Sequence, residues 1–177
     1  MIKFLSLVMA MILFVGCSTL DVNVDYDESY DFKSAKTFII DESVGNTKNT
    51  LFASRVVNAL ANELELKNYK KVSKEEADLI FVFHASAKDK SDTQVSYGLS
   101  GYRGFGYGGM VMSTSNTYEY TEGTLVVDAL SPKTKKVIWR GMGVKVLNEK
   151  ETPQERTEAV NAAVKKIMEK FPINYAL

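Results

Sequence analysis

The sequence has one cysteine, Cys17, and one histidine, His84, in 177 residues. A lone cysteine excludes an internal disulfide. A lone histidine leaves any zinc site with one imidazole plus carboxylates, a poor ligand set. An excess of charge is also missing: 22 Lys and Arg stand against 22 Asp and Glu. Without a basic stripe or tail, nucleic acid is excluded as a partner on charge. No apolar run reaches the roughly 20 residues that span a bilayer. No serine lies in G-x-S-x-G, and there is no internal repeat. No catalytic residue is assigned, and neither a metal nor a cofactor is expected.

What is present begins with "MIKFLSLVMAMILFVGCSTL". Lys3 supplies a positive start, Phe4 to Val15 is apolar apart from Ser6, and Gly16 precedes Cys17. Charge, apolar stretch and small residue form a secretory signal over residues 1–16. An unpaired thiol in an oxidising compartment is a liability. "LFVGC" resembles a bacterial lipobox, with Phe14 where leucine is usual. The resemblance implies cleavage before Cys17 and acylation of that residue, including a palmitate-type chain. The alternatives are an ordinary signal with an unpaired cysteine and, after it, a retained membrane anchor. Ser18 resembles an outer-membrane sorting signal, so the expected location is the outer membrane, facing the periplasm. Lys3 leaves with the signal, and the remainder carries a net charge of about −1.

Residues 17–177 are one domain's worth of chain. "LDVNVDY" alternates, with Leu20, Val22, Val24 and Tyr26 on one face, and predicts a strand. "KTFII" predicts a second strand and "YKKV" a short one. "ADLIFVFHASA" predicts a strand buried on both sides. "TYEYTEGTLVVDAL" and "KKVIWRGMGVKVL" predict a hairpin turning at "SPKTK", with a bulge at Gly123 and Trp139 anchoring the core with Val137. Arg140 is placed to pair with Asp128 across that hairpin.

Two helices are predicted. In "NTLFASRVVNALANELELKNY", Phe52, Val56, Ala59, Leu60 and Leu64 share a face, Asn49 or Thr50 caps the start and Asn68 closes the end. In "TPQERTEAVNAAVKKIMEKFP", Thr152 and Glu155 make a capping box and Pro153 takes the first turn. Val160, Ala163, Val164, Ile167, Met168 and Phe171 form the stripe. The fold class is α+β: a two-layer sandwich of a mostly antiparallel or mixed sheet of five to six strands packed by two helices.

"DVNVDYDESYDFKSAKTF", "ADLIFVFHASAKDK", "EGTLVVDALSPKTKKVIWRG" and "VNAAVKKIMEKFP" resemble, in order, the bacterial lipoprotein family carrying domain of unknown function 4136 (DUF4136). The resemblance implies an envelope lipoprotein with an α+β domain, and it carries over no reaction and no catalytic residue.

The stretch "YGLSGYRGFGYGGM" opens a Gly/Tyr-rich loop placed at 97–117 and contains a literal G-x-G-x-x-G at Gly104, Gly106 and Gly109. A dinucleotide fingerprint must open a helix, whereas a β-forming sequence follows. Tyr97, Tyr102, Phe105 and Tyr107 read either as an edge cap or loop, or as an adaptable aromatic surface for a protein, glycan or lipid headgroup. Asp25, Asp27, Glu28 and Asp31 begin like a calcium loop. They lack its glycine, and Lys36 stands in place of the closing glutamate. The expected role is non-enzymatic: a module anchored to the membrane through Cys17 that binds an envelope protein or glycan or supports an assembly. The alternative, a hydrolase of peptidoglycan or another envelope glycan, needs two carboxylates across a cleft about 5 to 10 Å wide.

Overall fold

The computed structural model describes residues 20–44, 49–99, 111–148 and 150–172. Six strands form one mixed sheet in the order β1-β6-β5-β4-β2-β3. They are β1 (Asp21–Tyr26), β2 (Thr37–Ile40), β3 (Lys70–Lys71), β4 (Leu79–Leu99), β5 (Val111–Leu130) and β6 (Val137–Val146). Two helices, α1 (Thr50–Leu66) and α2 (Pro153–Met168), cover one face. The expected two-layer α+β architecture is the observed one.

The layers follow from side-chain alternation. Val22 and Val24 of β1, Phe38 and Ile40 of β2, Phe81 and Phe83 of β4, and Leu125, Val127 and Ala129 of β5 all face the helices. From the other side come Val56, Leu60 and Leu64 of α1 and Val160, Val164, Ile167 and Met168 of α2. Phe171 is the hub where they meet. Its ring makes edge contacts with Phe32, Tyr69, Phe81 and Trp139 at centroid distances of 5.9, 5.9, 5.4 and 5.0 Å. Ile80 and Val82 are buried as well, on the face away from the helices. This is why that stretch of β4 reads as a continuous apolar run rather than an alternation.

Both helices have the caps their sequences predict. Asn49 accepts the Phe52 amide at 3.0 Å, and Asn68 sits in the left-handed region at φ 65° just beyond the end of α1. Thr152 Oγ1 accepts from the Glu155 amide while Glu155 Oε2 accepts from the Thr152 amide at 2.7 Å. Helix α1 is the crossover that lets β2 and β3 run parallel. β2 also runs parallel to β4. Asp78 secures that second pairing: its Oδ2 accepts from the amides of Lys36 and Thr37 and from the Thr37 hydroxyl at 2.8–3.0 Å. Burial pushes its carboxyl pKa up, but these donors outweigh burial and leave it lowered.

Two details differ from expectation. The bulge is not at Gly123, which pairs regularly with Ala87 and Lys145. The register shift falls between Ala129 and Leu130, opposite Ile138. Gly123 is instead a contact site: a Cβ there would lie 2.7 Å from Leu147 Cδ2. The shift also corrects the assignment of Val137. The extra residue brings Ile138 and Trp139 both inward and leaves Val137 44 % exposed, because a bulge resets the inside–outside alternation.

Candidate functional site

The sheet face away from the helices is organised in rows set by strand register. Asp25, Arg140, Asp128 and Val82 form one row across β1, β6, β5 and β4. Asn23, Met142, Val126 and His84 form the next, and Asp21, Val144, Thr124 and Ser86 the one after. The first row holds the strongest polar contact of the face. Arg140 donates from Nε to Asp128 Oδ1 at 2.6 Å and from a terminal nitrogen to Oδ2 at 2.7 Å. The expected cross-hairpin pair is therefore present, and it is bidentate. Asp128 is 2 % exposed. Hydrogen bonding to Asp128, its charge and the more distant Asp25 raise the guanidinium pKa further. Both Asp128 oxygens are occupied by Arg140, so Asp128 and Asp25 do not form the free carboxylate pair that the hydrolase alternative needs.

Beside this row lies a shallow groove of about 420 Å³ lined by Asp25, Tyr26, Asp27, Val137, Ile138, Trp139 and Arg140. Trp139 is fully buried, and its indole nitrogen has no hydrogen-bond partner among the described residues. The acidic run at the groove's edge is engaged locally. Asp27 Oδ1 accepts from the amide and hydroxyl of Ser29 at 2.9 and 2.6 Å, which holds its pKa down. Asp31 Oδ1 accepts from the Lys33 amide at 3.1 Å. No group of three or more potential metal ligands occurs among the described residues. His84 lies half-buried on the open face, opposite Val126.

The feature that the sequence reading missed is the extension of β4, and the loop placed at 97–117 is corrected with it: β4 runs on to Leu99 and β5 begins at Val111. β2 stops pairing at Phe81, and β6 stops at Glu122. Beyond that level the two strands pair with each other through eleven residue pairs, from Asp89↔Thr121 to Leu99↔Val111, the first of them still receiving a hydrogen bond from the Leu147 amide to the Thr121 carbonyl at 2.8 Å. At about 3.3 Å per residue this arm is about 35 Å long. Its described side chains from Asp89 to Gln94 and from Ser115 to Glu119 are exposed. Strand structure thus enters the 97–117 segment from both sides: Tyr97 lies on β4 with its backbone opposite Ser113. The arm leaves the body beside a second open groove, lined by Asp89, Lys90, Ser91, Glu119, Tyr120, Thr121 and Leu147. Residues 100–110 join the arm's outer end. Tyr102, Phe105, Tyr107 and the three glycines of the G-x-G-x-x-G lie outside the described residues, as does Cys17. The chain leads from those glycines into strand β5, not into a helix.

A one-sheet, two-helix module with an open sheet face and a projecting β-arm defines a class of small α+β domains. The chain belongs to the family of domain of unknown function DUF4136, whose model matches residues 22–173. No curated protein matches it. Among solved structures, it resembles the PelC dodecamer from Paraburkholderia phytofirmans with a TM-score of 0.51 at 8 % identity, covering 84 % of this chain and 94 % of that one. It also resembles a PDZ domain protein from Parabacteroides distasonis, with a TM-score of 0.55 at 14 % identity, covering 99 % of this chain and 41 % of that one. At these identities the likenesses show the fold alone. Among the described residues, no helix is long and apolar enough to cross a membrane.

Proposed function

We propose that this protein is a lipid-anchored envelope module without enzymatic activity, tethered through acylated Cys17 at the periplasmic face of the outer membrane. One observation carries the reading. Leu20, three residues after Cys17, is already part of the fold: it is 9 % exposed, its carbonyl accepts from Lys166 Nζ of α2 at 3.2 Å, and β1 begins at the next residue. Three extended residues reach about 10 Å. Acyl chains on Cys17 would hold the body against the bilayer with almost no stalk, and two or more chains suffice for stable anchoring.

The module's role is to present binding surfaces at that short distance. The aromatic residues Tyr97, Tyr102, Phe105 and Tyr107 are the surface for an envelope protein or glycan. Neither nucleic acid nor a cofactor enters this reading.

Cell fractionation of the Cys17→Ser variant tests it. The variant should leave the membrane fraction while keeping the thermal melt of the parent domain. A variant that stays membrane-bound would show that acylation of Cys17 is not what holds the protein there.

A further inference from the structure

The register of the sheet puts the anchor and the arm at the same end of the molecule. β1 enters with Asp21 opposite Val144 of β6. Val144 lies opposite Thr124 of β5, and Thr124 opposite Ser86 of β4. One step further along the strand axes, Leu20 is level with Ala87 and Gly123, and the free arm begins two residue pairs beyond, at Asp89↔Thr121. The chain therefore comes in from Cys17 at the end where the arm goes out. The arm is about 35 Å long and the tether about 10 Å. An arm so much longer than the leash beside it cannot point straight at the surface that holds the leash without meeting it.

Nor can it enter the hydrocarbon. A two-stranded ribbon has two unpaired edges, and such edges are not tolerated in lipid. The arm carries Asp89, Lys90, Asp92 and Glu119, and Lys88 and Glu122 stand at its base, with Lys90 and Glu122 paired at 2.7 Å. What remains is the headgroup layer. The arm's two faces differ in what they offer it. The face continuous with the open side of the sheet carries Tyr118, which is 57 % exposed and lies opposite Asp92, and Tyr120 two residues on, with Lys88 and with Lys90 in its pair with Glu122. The face continuous with the helix side carries Asp89, Ser91, Thr93, Thr117 and Glu119. Tyrosine is enriched at the membrane interface because its ring is apolar and its hydroxyl polar, and lysine extends an apolar stem toward anionic headgroups.

We propose that the β4–β5 arm is a lipid-facing strut: it lies along the bilayer that holds Cys17, with Tyr118 and Tyr120 at headgroup level. It gives the domain a second, non-covalent contact with the membrane that fixes the body's tilt. An isolated hairpin is at best marginally stable in water, and the surface supplies the support that the rest of the sheet does not. This inference rests on the acylation of Cys17 proposed above.

The test uses full-length acylated protein in vesicles of phosphatidylethanolamine and phosphatidylglycerol, with an environment-sensitive fluorophore on one introduced cysteine. Asn116→Cys reports the Tyr118 face, Thr117→Cys the opposite face, and Lys133→Cys the far end of the sheet. A nitroxide carried on the lipid headgroup should quench the Asn116 label several-fold more than the Lys133 label, with Thr117 between them. Replacing Tyr118 and Tyr120 together by serine should reduce the quenching at Asn116 without reducing vesicle flotation. Protein that fails to float with vesicles would refute the anchoring and the strut together. Protein that floats with its Asn116 label no more quenched than Lys133 refutes the strut alone. An Asn116 label shielded from water but untouched by the lipid quencher would mean a second protein chain covers the arm, and it overturns the proposal too.

Discussion

Arg140 grips Asp128 with two nitrogens, at 2.6 and 2.7 Å, across the β5–β6 hairpin in the body of the sheet. The carboxylate is buried while the arginine side chain is 55 % exposed. The pair is asymmetric: the arginine stays in contact with water, and the aspartate depends on it. Removing one member of a buried pair leaves the other charge uncompensated, a loss of about 3–5 kcal/mol where both are buried. The exposed arginine reduces that figure. Arg140→Ala should cost about 2 kcal/mol in urea unfolding, and Arg140→Lys should cost less, because it keeps the charge but not the fork. Equal stability of Arg140→Ala and the parent would show that water alone satisfies Asp128.

Gly141 lies where the Trp139 ring and Ile167 of α2 crowd the sheet. A Cβ there would collide with the Trp139 ring and lie 2.6 Å from Ile167 Cγ2, whereas one at Gly143 would lie 2.9 Å from Ile167 Cδ1, the mobile end of that side chain. Overpacking typically costs about 1–3 kcal/mol. Gly141→Ala should fall in that range by chemical denaturation, and Gly143→Ala should cost clearly less.

Helix α2 begins at a capping box, and the Thr152 side chain carries half of it. Thr152→Ala should lose about 1 kcal/mol. Glu155→Ala, which removes the reciprocal bond, should lose a smaller amount. Circular-dichroism melts of the two variants measure both.

Acid stability has a marker in Asp41. Hydrogen bonds from Lys74 at 2.6 Å and from Ser43 lower its pKa from 3.8 to about 2. The folded value is the depressed one. The stabilisation is therefore complete above the unfolded pKa near 3.8 and lost as pH falls through about 2. The stability difference between the parent and Asp41→Asn should be constant from neutral pH to roughly pH 5, fall as pH drops through about 2 and reach its acid limit at roughly pH 1. A difference that grows on acidification would contradict the assignment.

The parts of this fold legible in the sequence are those where one face is apolar and the other is not. β1, α1 and α2 each announce their inward side, and Asn49, Thr152, Glu155 and Asn68 mark helix ends by local hydrogen-bond chemistry that needs no tertiary context. The Asp128–Arg140 pair was legible because a hairpin's turn fixes which residues face one another. The arm was legible on one side only. Its β5 side reads as strand from "TYEYT", but the β4 side, "DKSDTQ", is poor in strand formers and has no apolar face, because no layer packs on it, so periodicity gives no signal there. The bulge at Ile138 was missed for a related reason: "KKVIW" is apolar on consecutive positions, and only the partner strand decides which residue is the extra one. Strand order, and with it the shared end of β1's start and the arm, depends on long-range pairing that local pattern does not encode.

Intact-mass spectrometry of the protein extracted from cell envelopes tests the central claim most directly. The account predicts a chain that begins at Cys17 and carries the mass of its acyl chains on that residue. A chain with Cys17 unmodified, or with residues 1–16 still attached, would contradict it.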